Sequence, residues 1–258
     1  MFSHAEFCES YARICHPAFH LVMVNKSVTC LSDEHLQEAI MLADFEDIAE
    51  EIGLTIPAAL AQLIELGAQP FKRGVPTLFA SLHDIELIDC GDVERLLGDW
   101  LGRDKQRGAG FTLLPFAMSC GVDAYCYVLF EEGDEGIARV KHDEETSELE
   151  YPSISHWIAS EYITAFTNLA EIGCFGADGG ERLQSELGLL ERILLPEHLE
   201  LLLGLLSADV VVRPFRAGPR SALLEVPSLL GQDQAETLIQ SLAFESPLEF
   251  DVLPEWED

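Results

Sequence analysis

The sequence predicts an α+β fold, an antiparallel sheet flanked by helices, with a smaller α+β segment at the C-terminal end. Three observations lead there. From Asp123 to Phe130 the chain alternates, with Tyr125, Tyr127 and Leu129 on one side and Cys126, Val128 and Phe130 on the other. That period of two marks a strand covered on both faces, and Ile137 to His142 returns as its partner after a turn, Glu131 to Gly136, whose glycines tolerate positive φ. Ahead of this hairpin, two stretches carry apolar residues at helical spacing between start and stop signals. The chain has 258 residues, 48% of them apolar, which is enough to bury a sizeable core.

Taken in order, Glu6 to Cys15 suits a short helix and Leu21 to Val24 a short strand or buried connection. Ser32 is placed to cap a helix whose first turn holds Asp33 and Glu34, the favourable charge for that end. Phe45, Ile48, Ala49 and Ile52 form its apolar stripe and Gly53 closes it. Pro57 starts the next helix, where its missing N–H costs nothing. Leu60, Leu63 and Ile64 face inward there, and Gly67 ends it. Val75 to Leu97 suits a helix or strand along the sheet edge, and Leu101 to Gly110 an exposed basic loop. Phe111 to Phe116 is an apolar run that turns through Ser119-Cys120-Gly121. After His142 comes an acidic loop. A helix then starts at Ser153 to Trp157, with a hydroxyl at its cap, and continues through Tyr162, Phe166 and Leu169 to Gly173.

The expected organisation is an N-terminal extension packed on the core (1–32), a first domain (33–173), a Gly-rich linker (174–180) and the C-terminal segment (181–258). In that last part, Arg182 to Leu206 reads as two helices, the second started by Pro196. Strands follow at Asp209 to Phe215 and Ala222 to Val226, then a helix at Ala235 to Phe244.

Charge narrows the function. Forty-six acids against fifteen bases give a net charge of −31. Nucleic acid and anionic membrane surfaces are disfavoured partners, and a basic protein is favoured because complementary fields speed encounter. A very soluble or salt-adapted chain is the competing reading of the same number. Nine acids lie between Lys26 and Lys72 with no base among them, forgoing every internal i,i+4 bridge. No apolar run is long enough to span a bilayer, and the N-terminus lacks the basic start and apolar run of a secretion signal, so a cytoplasmic location is expected. Seven scattered cysteines describe free thiols rather than a disulfide framework. His4, Cys8, Cys15, His16, His20, Cys30 and His35 crowd one end without a four-ligand rhythm, so neither a metal nor another cofactor is expected.

Catalytic patterns are weak. Ala117-Met118-Ser119-Cys120-Gly121 approaches a nucleophile elbow, but the segment after it is β-patterned where the elbow needs a helix. His142-Asp143 offers a base and its orienter, and a polar pair at a strand end reads more simply. No P-loop, dinucleotide loop or H-E-x-x-H occurs.

Two blocks resemble a known family. The first is Phe45 to Gly67, a helix closed by glycine and an aliphatic-Pro pair before the next helix. The second is Phe111 to Trp157: strand, Gly121-Val122-Asp123 corner, two strands across a turn, acidic loop, and a helix start carrying Trp157. Their order resembles the SUKH superfamily, known for bacterial immunity proteins and a fungal cell-wall regulator, over residues 33–172. The corner is one residue longer than the family's Gly-Asp pair, and Ile154 stands where the family places Phe. The resemblance implies a SUKH-like domain and a non-enzymatic immunity role: binding and neutralising a bacterial toxin from its own or a competing cell. With the charge, it points to a basic, nuclease-type toxin. A regulatory protein-interaction scaffold, like the fungal member, is the alternative. In the family fold the ends of the hairpin share one open edge. Asp123, Glu131, Glu132, Asp134 and Glu135, with Asp143, Glu144 and Glu145, are therefore expected to form one acidic partner-binding surface.

Overall fold

A computed structural model describes residues 19–24, 27–67, 79, 81–82, 85–99, 110–119, 123–173 and 177–252. The architecture is α+β. Six strands make one antiparallel sheet in the order β10 (Glu249–Asp251), β7 (Thr146–Tyr151), β6 (Glu135–Val140), β5 (Ala124–Phe130), β4 (Phe111–Ser119), β3 (Ile85–Leu87), and seven helices surround it among the described residues. An N-terminal hairpin, β1 (Phe19–Val24) with β2 (Ser27–Ser32), leads into α1 (Asp33–Ile52).

Helix α1 stops where its sequence says it must. Gly53 takes φ +78°, its N–H reaches Glu50 O at 3.0 Å, and the Leu54 N–H reaches back to Ala49 O at 2.8 Å. Those two bonds satisfy carbonyls that would otherwise be orphaned at the helix end. Phe45, Ile48 and Ala49 are buried, and Asp44, Glu46, Asp47, Glu50 and Glu51 face solvent. Pro57 then introduces α2 (Ala58–Gly67), which buries Leu60, Leu63 and Ile64. Where one helix or strand is expected from Val75 to Leu97, the described residues form a short strand, β3 (Ile85–Leu87), and the start of α3 (Cys90–Asp99).

The sheet centre is a meander. β4 (Phe111–Ser119) pairs with β5 (Ala124–Phe130), β5 with β6 (Glu135–Val140), and β6 with β7 (Thr146–Tyr151). Ala124 to Val128 are all buried, as a strand covered on both faces requires. The turn after β5 needs glycine at Gly133, φ +98°. At Gly136 a Cβ would sit 2.5 Å from Tyr151 O, so only glycine lets β6 approach β7 there. β7 is a correction to the acidic-loop expectation. Ser147 and Leu149 point inward while Glu148 points out, an alternation that the surrounding acids obscure.

Helix α4 (Ile154–Ala165) buries Trp157, Ile158, Tyr162 and Ile163. It ends at Ala165, short of the expected Gly173, because the next backbone groups bond to a distant strand. Leu169 N–H donates to Pro227 O, and Phe166 O accepts from Leu229 N–H, both at 2.9 Å. The expected 174–180 linker contains the start of α5 (Ala177–Leu189). Then come α6 (Pro196–Leu206), a hairpin of β8 (Val211–Phe215) and β9 (Leu224–Ser228), α7 (Gln232–Leu242) and β10 (Glu249–Asp251).

Residues 181–252 share the core of the preceding part. Leu183, Leu187, Leu202, Leu230 and Leu242 belong to the same buried cluster as Trp157 and Leu113. β10 adds itself to β7, and Phe250 lies 4.8 Å from Phe111 and 5.6 Å from Phe130, ring centre to ring centre. In a flat sheet β10 and β4 would stand about 19 Å apart, four spacings of about 4.8 Å. The sheet therefore curls until aromatic rings from its two sides meet. No helix among the described residues is long and apolar enough to cross a membrane.

Candidate functional site

The eight acids expected to make one surface fall into three places. Glu131, Glu132 and Asp134 are exposed in the β5–β6 turn, and Glu135 opens β6, where it accepts a hydrogen bond from Tyr127 Oη. Asp143, Glu144 and Glu145 are exposed in the β6–β7 turn, with Lys141 on Glu144 at 2.7 Å. Successive turns of a meander lie at opposite ends of the strand they share. Six residues of β6, about 20 Å at about 3.4 Å each, separate the two groups.

Asp123 lies at the second end but is 7% exposed. It accepts from Arg139 Nη2 at 2.7 Å and Nε at 3.1 Å, and its other oxygen meets His142 Nδ1 at 3.1 Å. Burial pushes its carboxyl up, but the bonds from His142 and Arg139 outweigh that and hold it below the usual carboxylate range. Asp123 is thus the bolt of the corner. Its N–H also donates to Ser119 Oγ, and its carbonyl accepts from Ser119 N–H. The residues considered for catalysis are engaged here: His142 turns to Asp123 rather than Asp143, and Ser119 Oγ accepts from the corner backbone.

Sequence reasoning missed three acids beside the second turn. β10 places Glu249 directly opposite Glu148 and Asp251 opposite Thr146. Glu148, Glu249 and Asp251 are all exposed, and Val252 N–H ties β10 to Glu145 O. Asp143, Glu144, Glu145, Glu148, Glu249 and Asp251 thus gather at one sheet edge. Like charges directly across a strand pair are destabilising, so this edge breaks a local rule. Nothing local in the sequence tells which strand Glu249 and Asp251 join.

Behind that edge, Glu150 is pushed up to about 7 by burial, with Glu161 and Glu148 adding to it and Arg139 opposing. Arg139 lies over the Tyr125 ring, 5.9 Å from its centre. Glu161 accepts from Trp157 Nε1 at 3.1 Å and Tyr125 Oη at 3.2 Å. Burial, chiefly, pushes the Tyr125 phenol up.

A second polar group joins α4 to α6. Ser155 Oγ accepts from Leu195 N–H at 2.7 Å, so its own hydrogen is left for His198 Nδ1, also at 2.7 Å. Ser153 Oγ meets His156 Nδ1 at 2.8 Å instead of capping α4, and the two imidazoles stand edge to face at 4.4 Å. Desolvation lowers both imidazoles below 6.5; the neighbouring ring deepens this at His156, and Glu197 opposes it at both. A lowered folded-state value means that the unfolded chain binds more protons. The stability these histidines contribute is therefore present above pH 6.5 and lost as pH falls through their folded values. His198→Gln is expected to flatten the acid side of the stability profile below pH 6.5 in denaturant melts. An unchanged slope would remove His198 from it.

Among the described residues no group of three or more His, Cys, Asp or Glu side chains is arranged to hold a metal ion. His4, Cys8, Cys15 and His16, and the side chains of His20, Cys30 and His35, lie outside that description. Comparison with family models, with curated protein sequences and with solved structures finds no match to this chain.

Proposed function

We propose that this chain is a SUKH-like immunity protein that neutralises a basic protein toxin by binding it, without catalysis. The observation that carries the reading is the like-charged strand pair Glu148–Glu249 beside the Asp143–Glu145 turn. A sheet edge that keeps six carboxylates together at a cost to its own pairing suits a surface whose counter-charge arrives on a partner. Support for the family comes from the order of elements: a glycine-closed helix, a Pro-started helix, a meander with an aspartate at its corner, and a helix bringing an aromatic onto the sheet. The length of β6 between the two turns, and the pairing of β10 with β7, move the expected contact from the whole set of hairpin acids to the β7–β10 edge.

Co-purification from cells expressing the neighbouring genes tests the reading, which requires a basic protein to come down with this chain. Glu148→Lys/Glu249→Lys is then expected to slow association on the order of tenfold at 0.1 M salt. Because the double reversal keeps the pair like-charged, folding stability should move by under about 1 kcal/mol. Glu131→Lys/Glu132→Lys, at the opposite end of β6, should have the smaller effect. The difference should shrink toward 1 M salt, where the Debye length is about 3 Å. Equal rates for the two variants would place the interface elsewhere, with the acid-only face of α1 next in line.

A further inference from the structure

The hairpin of β8 and β9 has one edge covered and one edge free. Leu169 N–H donates to Pro227 O and Leu229 N–H to Phe166 O, both at 2.9 Å, so the turn after α4 covers the outer side of β9. The Pro227 carbonyl therefore faces away from β8. Val212 stands opposite Pro227. In an antiparallel ladder two opposite residues turn their backbone groups either both toward each other or both away. Val212 accordingly directs its N–H and C=O to the other side of β8, where no strand lies among the described residues. Pro214, two residues on, directs a carbonyl the same way and has no N–H to leave unpaired there.

That free edge is apolar and poor in acids. Of eight large apolar side chains exposed among the described residues, five are Val210, Val211, Val212, Leu223 and Leu224, which concentrates the exposed apolar surface on this hairpin. Val212 is the most exposed of them, at 62%. Edge strands ordinarily carry charge that keeps other chains off, and a two-stranded sheet by itself is marginally stable. Val210 to Val212 puts three β-branched residues at this edge instead. No Asp or Glu lies between Asp209 and Glu225, whereas Arg213, Arg216 and Arg220 do. In a chain of net charge −31, this is a stretch where a second copy approaches without setting carboxylate against carboxylate.

We propose that β8 pairs antiparallel with β8 of a second copy, about a two-fold axis at Val212, giving a four-stranded sheet. With Val212 opposite itself, its N–H and C=O exchange two hydrogen bonds across the axis, and Pro214 O faces the N–H of Val210 in the other copy. Moving the axis to Pro214 would lose both central bonds, because proline offers no donor. The Val212 register also sets the Asp209 end of each copy against the Arg216 end of the other, so opposite charges meet at both ends of the pairing. A second copy thus meets all three demands of this edge: backbone partners, apolar cover and a carboxylate for the arginines. The inference stands apart from the toxin reading, which uses the β7–β10 edge.

Sedimentation equilibrium of the full chain, from about 5 to 500 μM, tests this. The average mass is expected to rise from that of one chain toward that of two, with a Kd on the order of 10–100 μM at about 0.1 M salt. At about 1 M salt the dimer should tighten severalfold, because screening removes repulsion between two strongly acidic chains. Toxin association, carried by opposite charges, should weaken instead. Val212→Lys sets like charges across the axis and should weaken the dimer by roughly tenfold or more, while the dilute, monomeric variant melts as the parent does. Val212→Thr, still β-branched, should keep the dimer. In hydrogen exchange the Val212 amide should gain protection as concentration rises, and the Arg213 amide, turned toward β9, should not change. A chain that stays monomeric, a dimer unmoved by Val212→Lys, or a dimer that weakens as salt rises would each overturn the proposal. So would a foreign protein that co-purifies with the monomeric parent and is lost from Val212→Lys, since that assigns the edge to another partner. Glu148→Lys/Glu249→Lys should not weaken the dimer, so its failure and the failure of the toxin reading are told apart.

Discussion

Trp157→Ala is expected to cost about 3–5 kcal/mol. Trp157 is 0% exposed and touches three rings: Tyr125 at 5.0 Å, Phe116 at 5.1 Å and Phe79 at 5.7 Å. Its indole N–H also donates to Glu161. Alanine would leave a cavity between α4 and the sheet and remove one donor from a carboxylate that has Glu150 nearby. Trp157→Phe keeps most of the volume and loses the N–H, so it should cost less, about 1–3 kcal/mol. Urea melts of the two variants at pH 7 provide the measurement. A Trp157→Ala loss under about 1 kcal/mol would mean that α4 is not seated on the sheet as described.

Glu150→Gln is expected to stabilise the protein at high pH by up to about 3 kcal/mol. The folded-state value of Glu150 is about 7 against an ordinary 4.5, and each unit is worth about 1.4 kcal/mol. The sign follows from linkage. Between pH 4.5 and 7 the folded chain holds a proton that the unfolded chain has released, so stability is full below 4.5 and falls as pH rises through 7. The gain from glutamine should therefore be near zero at pH 4.5 and greatest at pH 8. Comparing the variant with the parent at each pH cancels the histidine contribution, which runs in the opposite direction. A variant less stable than the parent at pH 8 would show that the attraction between Glu150 and Arg139 outweighs burial.

Several features of this fold were plain in the residues. Gly53 and Pro57 set the boundary between α1 and α2 because one residue favours positive φ and the other cannot donate a helical hydrogen bond. The alternation from Tyr125 to Phe130 identified β5, and Gly133 its turn. Each signal is local: a period of two, a backbone preference, a missing N–H. β7 shows where local signals fail. Its inward residues are only Ser147 and Leu149, set among glutamates, and pairing with β6 decides it rather than propensity.

The candidate sites divide the same way. The sequence by itself determined that the protein is strongly acidic and that Glu131 to Asp134 lie in a turn, and its resemblance placed Asp123 at a corner. Only the tertiary structure decided that Asp123 is consumed by Arg139 and His142, that successive turns of the meander lie at opposite ends of β6, and that Glu249 stands against Glu148, 101 residues earlier in the chain. It also decided that Ser155 meets His198 and that β8 keeps one edge free. Periodicity tells which face a residue takes within its own element. Which elements meet depends on burying apolar surface from distant parts of the chain, here Phe250 against Phe111 and Phe130, and the polar residues beside those contacts are carried to their neighbours by that packing.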